Sequence, residues 1–349
     1  MPYQLLADGQ VRFYHSAAGA TQVELALVDL PLWRGRQAMA AAGDLWSVTI
    51  GPIAPGVYRY SLVEDGRVVV DAGNPHVLPA QRGASSYFVV PDAATLDARG
   101  IAHGAVSAVH YDSAALGVAR RAYVYTPPGY ERGTADYPVL YLLHGSGDSE
   151  AAWPVMGRAG FILDHLIAAG RAEPMLVVMP NGHVSSEVAR PGEDIAAFEA
   201  FAADFWGDLL PEVERRYRVR TARADRAVAG LSMGGAQTLY LAVPHLDRFA
   251  HIGVFSSGLF EFGAHGRAGA DAEWAGRHAA TLDDPALRVG LRALWVRCGR
   301  DDFLLATSDA TVAAFRRHGF AVDYQLGEGG HEWSNWRDYL AEFAPLLFR

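Results

Sequence analysis

The chain has 349 residues, half of them hydrophobic, with a formal charge of −9 and a pI near 5.8. This length suits one large domain and one small one, and the acidic balance argues against nucleic acid or an anionic membrane as a partner, because both are bound through basic patches. All 30 basic residues are arginine, which excludes mechanisms that need a lysine, such as a Schiff base or a Ser/Lys dyad.

The first ten residues lack a basic segment followed by an apolar core, and no apolar run reaches the roughly 18 residues of a membrane helix. We therefore expect a cytoplasmic protein for the chain as given, or a secreted or periplasmic one if a signal peptide has been removed. The single cysteine, Cys298, excludes an internal disulfide, and its apolar neighbours predict an unreactive strand residue.

Residues 1–92 predict a small all-β sandwich. Short strands are expected at 11–15, 22–28, 45–50, 57–63, 68–70 and 86–90, with turn residues between them. Asp65-Gly66 is a strong two-residue hairpin signal, because both central positions of that turn favour a positive φ. We expect Trp33, Trp46 and Tyr60 to pack in the core, with sugar stacking on these rings as the alternative.

The segment from Trp46 to Asn74-Pro75, including Pro55-Gly56, resembles the immunoglobulin-like early-set domain, related to glycogen-binding modules, that precedes some bacterial esterases. The resemblance covers most of residues 1–92. Residues 93–104, rich in Ala, Asp and Gly, are predicted to be a linker.

From residue 105 to 349 the pattern changes to alternating strands and helices. Strands are predicted at 122–126, 139–143, 175–179, 226–229, 252–256, 294–298 and 322–326, and helices include 161–169 and 195–217, the latter with Pro211 starting or kinking a segment. This alternation predicts an α/β fold with a mostly parallel sheet covered on both faces.

The run Gly230-Leu231-Ser232-Met233-Gly234-Gly235 fits a nucleophile elbow, in which a strand turns sharply into a helix and exposes a serine hydroxyl. A Cβ at Gly230 or Gly234 would collide with the backbone that passes beside it. The backbone N–H of Met233, directly after the serine, is a candidate oxyanion donor.

The partners of Ser232 are expected after other strands, because reactive groups gather at the carboxyl ends of the strands in an open α/β sheet. His331 lies in a Gly-rich loop after the last strand and is the predicted base, since the chain has no lysine to serve instead. Asp301 and Asp302 both follow an earlier strand, and their positions do not rank them as the acceptor for the imidazole. His144 is expected to support a neighbouring loop.

Three runs, at 138–145, 177–183 and 229–235, resemble carbohydrate esterase family one, the feruloyl and acetyl-xylan esterases related to esterase D, over roughly residues 105 to 349. The resemblance implies an α/β-hydrolase fold and a serine esterase that needs no metal or cofactor. It favours Asp302 over Asp301 in a Gly-x-x-Asp-Phe-like turn. It also implies Ser146 as the second oxyanion donor, with Gly145 as the alternative.

Five residues are predicted to contact the substrate: Trp153, Trp333, Asn181, His183 and Phe303. The expected substrate is a small-molecule or polysaccharide-linked ester of feruloyl, acetyl or related aryl or sugar type, and the oligomeric state stays open. Two alternatives remain. One is a siderophore trilactone (enterochelin-type) esterase, to which Arg158 and Arg300 could contribute cations. The other is a carbohydrate-binding protein with a degenerate hydrolase domain.

Overall fold

The computed structural model describes residues 1–92, 99–185, 194–260 and 270–349. Its first part consists of short strands: β1 (Tyr3–Leu5), β2 (Val11–Ser16), β3 (Val23–Leu27), β4 (Gly35–Ala38), β5 (Ala40–Ala42), β6 (Leu45–Ile50), β7 (Gly56–Glu64), β8 (Arg67–Val69), β9 (Val77–Pro79) and β10 (Ala84–Val90). They form two antiparallel sheets, ordered β1-β2-β6-β5 and β4-β3-β7-β10-β9, with β8 paired to β7. Alternate side chains of both sheets, including Phe13, Leu25 and Phe88, share one core. We call this part the N-terminal sandwich.

All six predicted strands of the sandwich are present. The strands that the sequence did not predict (β1, β4, β5 and β9) have three or four mostly exposed residues, so the alternation that identifies a half-buried strand is too short to recognise. The Asp65-Gly66 hairpin is confirmed, since Glu64 pairs with Arg67 and the two turn residues have φ of 44° and 86°.

The aromatic residues of the sandwich pack inside it. Trp46 and Tyr60 are 9% and 1% exposed, and Trp33 packs against the same core. The core interpretation of these rings is therefore confirmed, and a sugar-stacking surface made of Trp46 and Tyr60 is excluded because their faces are covered.

The second part contains one eight-stranded sheet. Its strands are β11 (Ala105–Ser113), β12 (Val118–Thr126), β13 (Val139–Leu143), β14 (Leu176–Pro180), β15 (Arg226–Leu231), β16 (His251–Phe255), β17 (Ala293–Gly299) and β18 (Asp323–Gly327), in the order β11-β12-β14-β13-β15-β16-β17-β18. The six strands from β13 to β18 run parallel, and β11 and β12 are antiparallel. The predicted strands are all found. β11 was not predicted, because its first four residues are exposed and show no alternation.

Helices cover both faces of this sheet, as predicted. They are α1 (Ala152–Val155), α2 (Ala159–Ala168), α3 (Asp194–Asp204), α4 (Leu210–Arg216), α5 (Met233–Ala242), α6 (Ala270–Leu282), α7 (Pro285–Val289), α8 (Leu305–Arg317) and α9 (Trp333–Phe343). Buried residues of α2 and α9 pack on one face, and those of α4, α5 and α8 pack on the other. A π-helical turn joins α3 to α4, which begins around Pro211 as expected. In the described part of the chain, no helix is long and apolar enough to cross a membrane.

The parallel strands bring four loops together at one edge of the sheet. β13, β15, β17 and β18 are neighbours or near neighbours, and their carboxyl ends lead into the segments that contain His144, Ser232, Asp302 and His331. Because parallel strands end at the same edge, residues up to 187 positions apart in sequence meet there. Of the predicted linker 93–104, residues 93–98 lie outside the described residues.

Candidate active site

Ser232 occupies a sharp turn between β15 and α5. Its φ of 51° and ψ of −123° lie in a region that residues with a side chain rarely adopt, so the turn stores strain that the surrounding packing must hold. A Cβ at Gly230 would lie 2.3 Å from the carbonyl oxygen of Gly234, and one at Gly234 would lie 2.5 Å from that of His144. The predicted need for glycine at both positions is confirmed, because backbone atoms cannot move aside as side chains can.

A chain of hydrogen bonds runs from Ser232 to a buried carboxylate. Ser232 Oγ lies 2.9 Å from His331 Nε2, and His331 Nδ1 lies 3.0 Å from each carboxylate oxygen of Asp302. The Asp302 side chain is fully buried and also accepts the backbone N–H of Leu304 at 2.9 Å. With Nδ1–H donating to the carboxylate, Nε2 is left to accept the serine hydroxyl. Asp301 is exposed and makes no such contact.

The segment 144–149, which we call the His144 loop, passes directly beside the serine. A Cβ at Gly145 would lie 2.7 Å from Leu231 Cδ1 and 3.3 Å from Ser232 Cβ. His144 is buried, its Nδ1–H donates to the carbonyl of Gly145 at 2.8 Å, and its Nε2 accepts the N–H of Gly182 at 2.8 Å. Burial lowers the pKa of His144, so the ring stays neutral and fixes the loop, as expected.

The candidate oxyanion donors come from the residue after Ser232 and from the His144 loop. Met233 is the first residue of α5, so its backbone N–H has no acceptor within the helix. Gly145 and Ser146 both line the cavity in which Ser232 lies, and Ser146 is exposed. The structure therefore keeps both Gly145 and Ser146 as candidates for the second donor.

The cavity that contains Ser232 and His331 has a volume of about 180 Å³. Its wall from the second part of the chain is formed by Gly145, Ser146, Asp148, Leu231, Ser232, His331, Glu332, Trp333 and Trp336. Its wall from the N-terminal sandwich is formed by Val28, Asp29, Arg34 and Arg59. The four residues from the sandwich were not predicted from the sequence, because no local sequence pattern indicates that a residue in one part of the chain lies over a site in another part.

One of the predicted substrate contacts, Trp333, lines the cavity around Ser232, and a second, Phe303, packs against His331 without lining the cavity. Trp333 lines the cavity, although only 2% of it is exposed. Phe303 is 65% exposed, and its ring centre lies 4.5 Å from that of His331. Trp336 also lines the cavity, and its ring centre lies 4.9 Å from that of His331.

The other three predicted contacts lie elsewhere. Trp153 is 1% exposed, donates its indole N–H to the carbonyl of Leu143 at 2.9 Å and packs beneath Trp333 without lining the cavity. Asn181 and His183 line a separate depression with Arg120 and Arg121. Among the described residues, these three are therefore not part of the wall around Ser232; the apolar surface of Trp153 is used for packing instead.

Neither arginine that sequence reasoning offered as a source of cations lines the cavity. The guanidinium of Arg158 stacks 3.8 Å from the ring centre of Phe161, and Arg300 pairs with the exposed Glu328 at 3.5 Å. The cations in the described cavity wall are Arg34 and Arg59, both from the sandwich.

Comparison with known families decides the class of this chain. Residues 113–347 match the family model described as putative esterase. The chain belongs to this esterase family. The family and its relatives support an esterase, that is, a carboxylic ester hydrolase.

Curated relatives share sequence with this esterase. It is 30% identical to the endo-1,4-beta-xylanase/feruloyl esterase of Xylanibacter ruminicola, over 98% of this chain and 45% of that protein. It is 25% identical to the acetyl esterase of Caldicellulosiruptor saccharolyticus, over 58% of this chain and 80% of that protein. The esterase thus spans less than half the length of the xylanase/feruloyl esterase.

Solved structures share its fold. A ferulic acid esterase is 29% identical, with a TM-score of 0.58, and the match covers 70% of this chain and 97% of that one. The enterobactin esterase of Shigella flexneri is 18% identical, with a TM-score of 0.66, and the match covers 98% of this chain and 94% of that one. At that identity the second likeness concerns the fold alone, and it extends over the N-terminal sandwich.

Proposed function

We propose that the esterase hydrolyses its substrate by two-step acyl transfer through Ser232, His331 and Asp302. The hydrogen-bonded chain from Ser232 Oγ through His331 to the Asp302 carboxylate carries this proposal. Ser232 attacks the ester carbonyl while His331 Nε2 takes its proton and passes it to the leaving alcohol. A water molecule deprotonated by His331 then hydrolyses the acyl-enzyme, and Asp302 keeps the imidazole oriented and stabilises its protonated form.

Charge that develops on the carbonyl oxygen is proposed to be stabilised by two backbone N–H groups. One belongs to Met233, whose N–H at the start of α5 also lies at the positive end of the helix dipole. The other belongs to the His144 loop, at Ser146 or Gly145, both of which line the cavity. Donors that are already fixed in place need no reorganisation as the charge forms, which is the source of their effect.

The proposed substrates are feruloyl, acetyl or related aryl and sugar esters, either as small molecules or linked to a polysaccharide. The names of the relatives support this class. Within the site, Trp333 and the exposed ring of Phe303 offer apolar surface next to His331 for an acyl group or a sugar ring.

A second candidate is a siderophore trilactone of the enterochelin type. One observation favours it: Arg34 and Arg59 line the cavity, where cations would suit a catecholate. The shared fold over 98% of the chain is compatible with this candidate. Arg59 already pairs with two carboxylates, so Arg34 is the cation that such a ligand would engage.

We also propose the domain division 1–92, 93–104 and 105–349, with an immunoglobulin-like early-set sandwich, a linker and an α/β-hydrolase catalytic domain. Two facing antiparallel sheets with a shared core, followed by a sheet in the order β11-β12-β14-β13-β15-β16-β17-β18, support this division. The burial of Trp46 and Tyr60 inside the sandwich argues against sugar binding on these rings. Packing on the catalytic domain therefore remains the proposed role of the sandwich.

The mechanism is tested with Ser232→Ala and His331→Ala. Each is expected to lower the kcat for p-nitrophenyl acetate by roughly 10³-fold or more, and a fluorophosphonate is expected to label wild-type Ser232 covalently. Rates near wild type in either variant, or label on another residue, would contradict the assignment. A panel of methyl ferulate, acetylated xylan, short p-nitrophenyl esters and a catecholate trilactone then ranks kcat/KM, and highest activity on the trilactone would favour the second candidate.

A further inference from the structure

The N-terminal sandwich contacts the His144 loop at three successive residues. Arg59 Nη1 donates to Asp148 Oδ1 at 2.7 Å, the backbone N–H of Gln81 donates to the carbonyl of Gly147 at 3.0 Å, and Ser149 Oγ donates to the carbonyl of Pro79 at 2.7 Å. One contact is an ion pair and two involve backbone atoms. The loop that borders Ser232 on one side is therefore attached to the sandwich on the other.

The ion pair belongs to a buried cluster. Arg59 also donates through Nε and Nη2 to Asp29, and its backbone N–H donates to Asp29 Oδ2 at 2.8 Å. The side chains of Asp29 and Asp148 are each 7% exposed and that of Arg59 is 21% exposed. Asp29 thus fixes Arg59 on the sandwich, and the third guanidinium nitrogen, Nη1, is directed at the His144 loop. Charge-assisted hydrogen bonds in such partly desolvated surroundings are stronger than ordinary ones.

We propose that Arg59 and Asp148 are positioning residues, through which the N-terminal sandwich holds the His144 loop in the geometry that its oxyanion donor requires. The inference rests on the proposed function, because it assigns a catalytic consequence to the place of this loop. Asp148 acts through the loop backbone: it lies two residues after Ser146, and its own N–H donates to the carbonyl of Gly145 at 3.3 Å.

The consequence follows from how tightly the loop packs. A Cβ at Gly145 would lie 2.7 Å from Leu231 Cδ1 and 3.3 Å from Ser232 Cβ, so the loop packs closely against the nucleophile and a shift of the loop after its release at Asp148 would change these contacts. An oxyanion donor acts only at hydrogen-bonding distance from the developing charge, and misplacing a group by about 1 Å can cost 10²-fold in rate. Because the affected interaction forms in the transition state, kcat should fall and KM should change little.

The test compares Asp148→Ala with Asp148→Asn in the full chain. Asp148→Ala removes the acceptor, yet Arg59 keeps its hydrogen bonds to Asp29, so the sandwich is expected to stay folded. Its kcat for p-nitrophenyl acetate should fall about 10- to 100-fold, with KM within threefold. Asp148→Asn retains an oxygen that accepts from Arg59 and should recover kcat to within about threefold of wild type.

Glu24→Ala is the matched control, because it removes the carboxylate partner of another sandwich arginine, Arg36, away from the cavity. Its kcat should equal that of wild type. An equal fall in Asp148→Asn and Asp148→Ala would assign the effect to the charge of Asp148 and overturn the positioning role. Unchanged kcat in Asp148→Ala would overturn it as well.

Amide hydrogen exchange of peptides covering residues 144–149 tests the inference independently of activity. Asp148→Ala should speed exchange in this loop, whereas Asp148→Asn and Glu24→Ala should leave it near wild type. Unchanged exchange in Asp148→Ala would refute the inference even if Ser232→Ala proves inactive. Conversely, a wild-type protein without esterase activity refutes the proposed catalytic mechanism, and the exchange result still decides whether the sandwich holds the loop.

Discussion

Replacing Asp302 with asparagine tests the hydrogen-bonded chain at the atom that orients the imidazole. Both carboxylate oxygens lie 3.0 Å from His331 Nδ1, and Oδ1 also accepts the N–H of Leu304. In the Asp302→Asn variant that N–H keeps the amide oxygen at the Oδ1 position, so the amide nitrogen takes the place of Oδ2 and directs an N–H at Nδ1. This amide N–H can bond Nδ1 only when Nδ1 carries no proton, so the substitution favours the imidazole tautomer that carries its proton on Nε2.

The magnitude follows from two losses. A proton on Nε2 prevents that nitrogen from accepting the Ser232 hydroxyl proton, and a neutral amide no longer stabilises the imidazolium in a fully buried place. We therefore expect kcat to fall about 10⁴-fold, which corresponds to about 5.5 kcal/mol of transition-state stabilisation. The folded structure should persist, because the substitution preserves shape and the hydrogen bond from Leu304.

The assay is the kcat for p-nitrophenyl acetate near pH 7.5, with Asp301→Asn as the matched control. Asp301 is the adjacent, exposed carboxylate, so its variant should remain within about twofold of wild type. The melting temperature of each variant separates loss of catalysis from loss of folding. An Asp302→Asn enzyme within tenfold of wild type, or an Asp301→Asn enzyme equally impaired, would refute the assignment.

Three further predictions concern packing and protonation. Gly230→Ala should abolish soluble folded protein, because its Cβ would meet backbone atoms of Gly234 at 2.3 Å. Gly276→Ala is the control: no atom lies near a Cβ at this position on α6, so the variant should raise the free energy of unfolding by about 0.5–1 kcal/mol. Similar stabilities of the two variants in urea unfolding would contradict this prediction. Burial raises the pKa of the Cys298 thiol to about 12, so iodoacetamide should modify it only after unfolding, and rapid labelling of the native esterase would disprove its burial. Burial also lowers the pKa of His251 to about 4, so below about pH 6.5 the unfolded chain takes up a proton that the folded chain does not, and the free energy of unfolding should fall between pH 6.5 and 4. In urea titrations, His251→Gln should reduce the slope of the free energy of unfolding against pH by up to about 1.4 kcal/mol per pH unit. An unchanged slope would contradict this prediction.

The elbow around Ser232 and the proposed base, His331, could both be predicted from the sequence, the first from a local pattern and the second from chain order. Gly230 and Gly234 are needed because backbone passes close to both residues beside Ser232, so the whole pattern is contained within six residues of sequence. His331 follows from chain order, since it lies beyond the last strand of an alternating pattern. The predicted strands were found for the same reason: their apolar runs or alternation are long enough to read.

Pocket residues were harder to predict, because the local sequence does not show whether an aromatic side chain lies in the core or in a cavity wall. Only the contacts of Trp153 and Trp333 in the folded chain distinguish them. Trp153 donates its indole N–H to the carbonyl of Leu143 and does not line the cavity, whereas Trp333 does. Asn181 and His183 follow a strand end, as expected, but β14 directs them to a different depression.

The sequence by itself predicted the elbow around Ser232, the proposed base His331 and the succession of strands along the chain, because these depend on glycine spacing, hydrophobic period and the absence of lysine. Tertiary structure decided which carboxylate meets His331: Asp302 is buried against it, while its neighbour Asp301 is exposed to solvent. It also placed Arg59 of the sandwich against Asp148, 89 residues away in the chain. Contacts between distant segments depend on how the two parts pack together, and no local pattern encodes that.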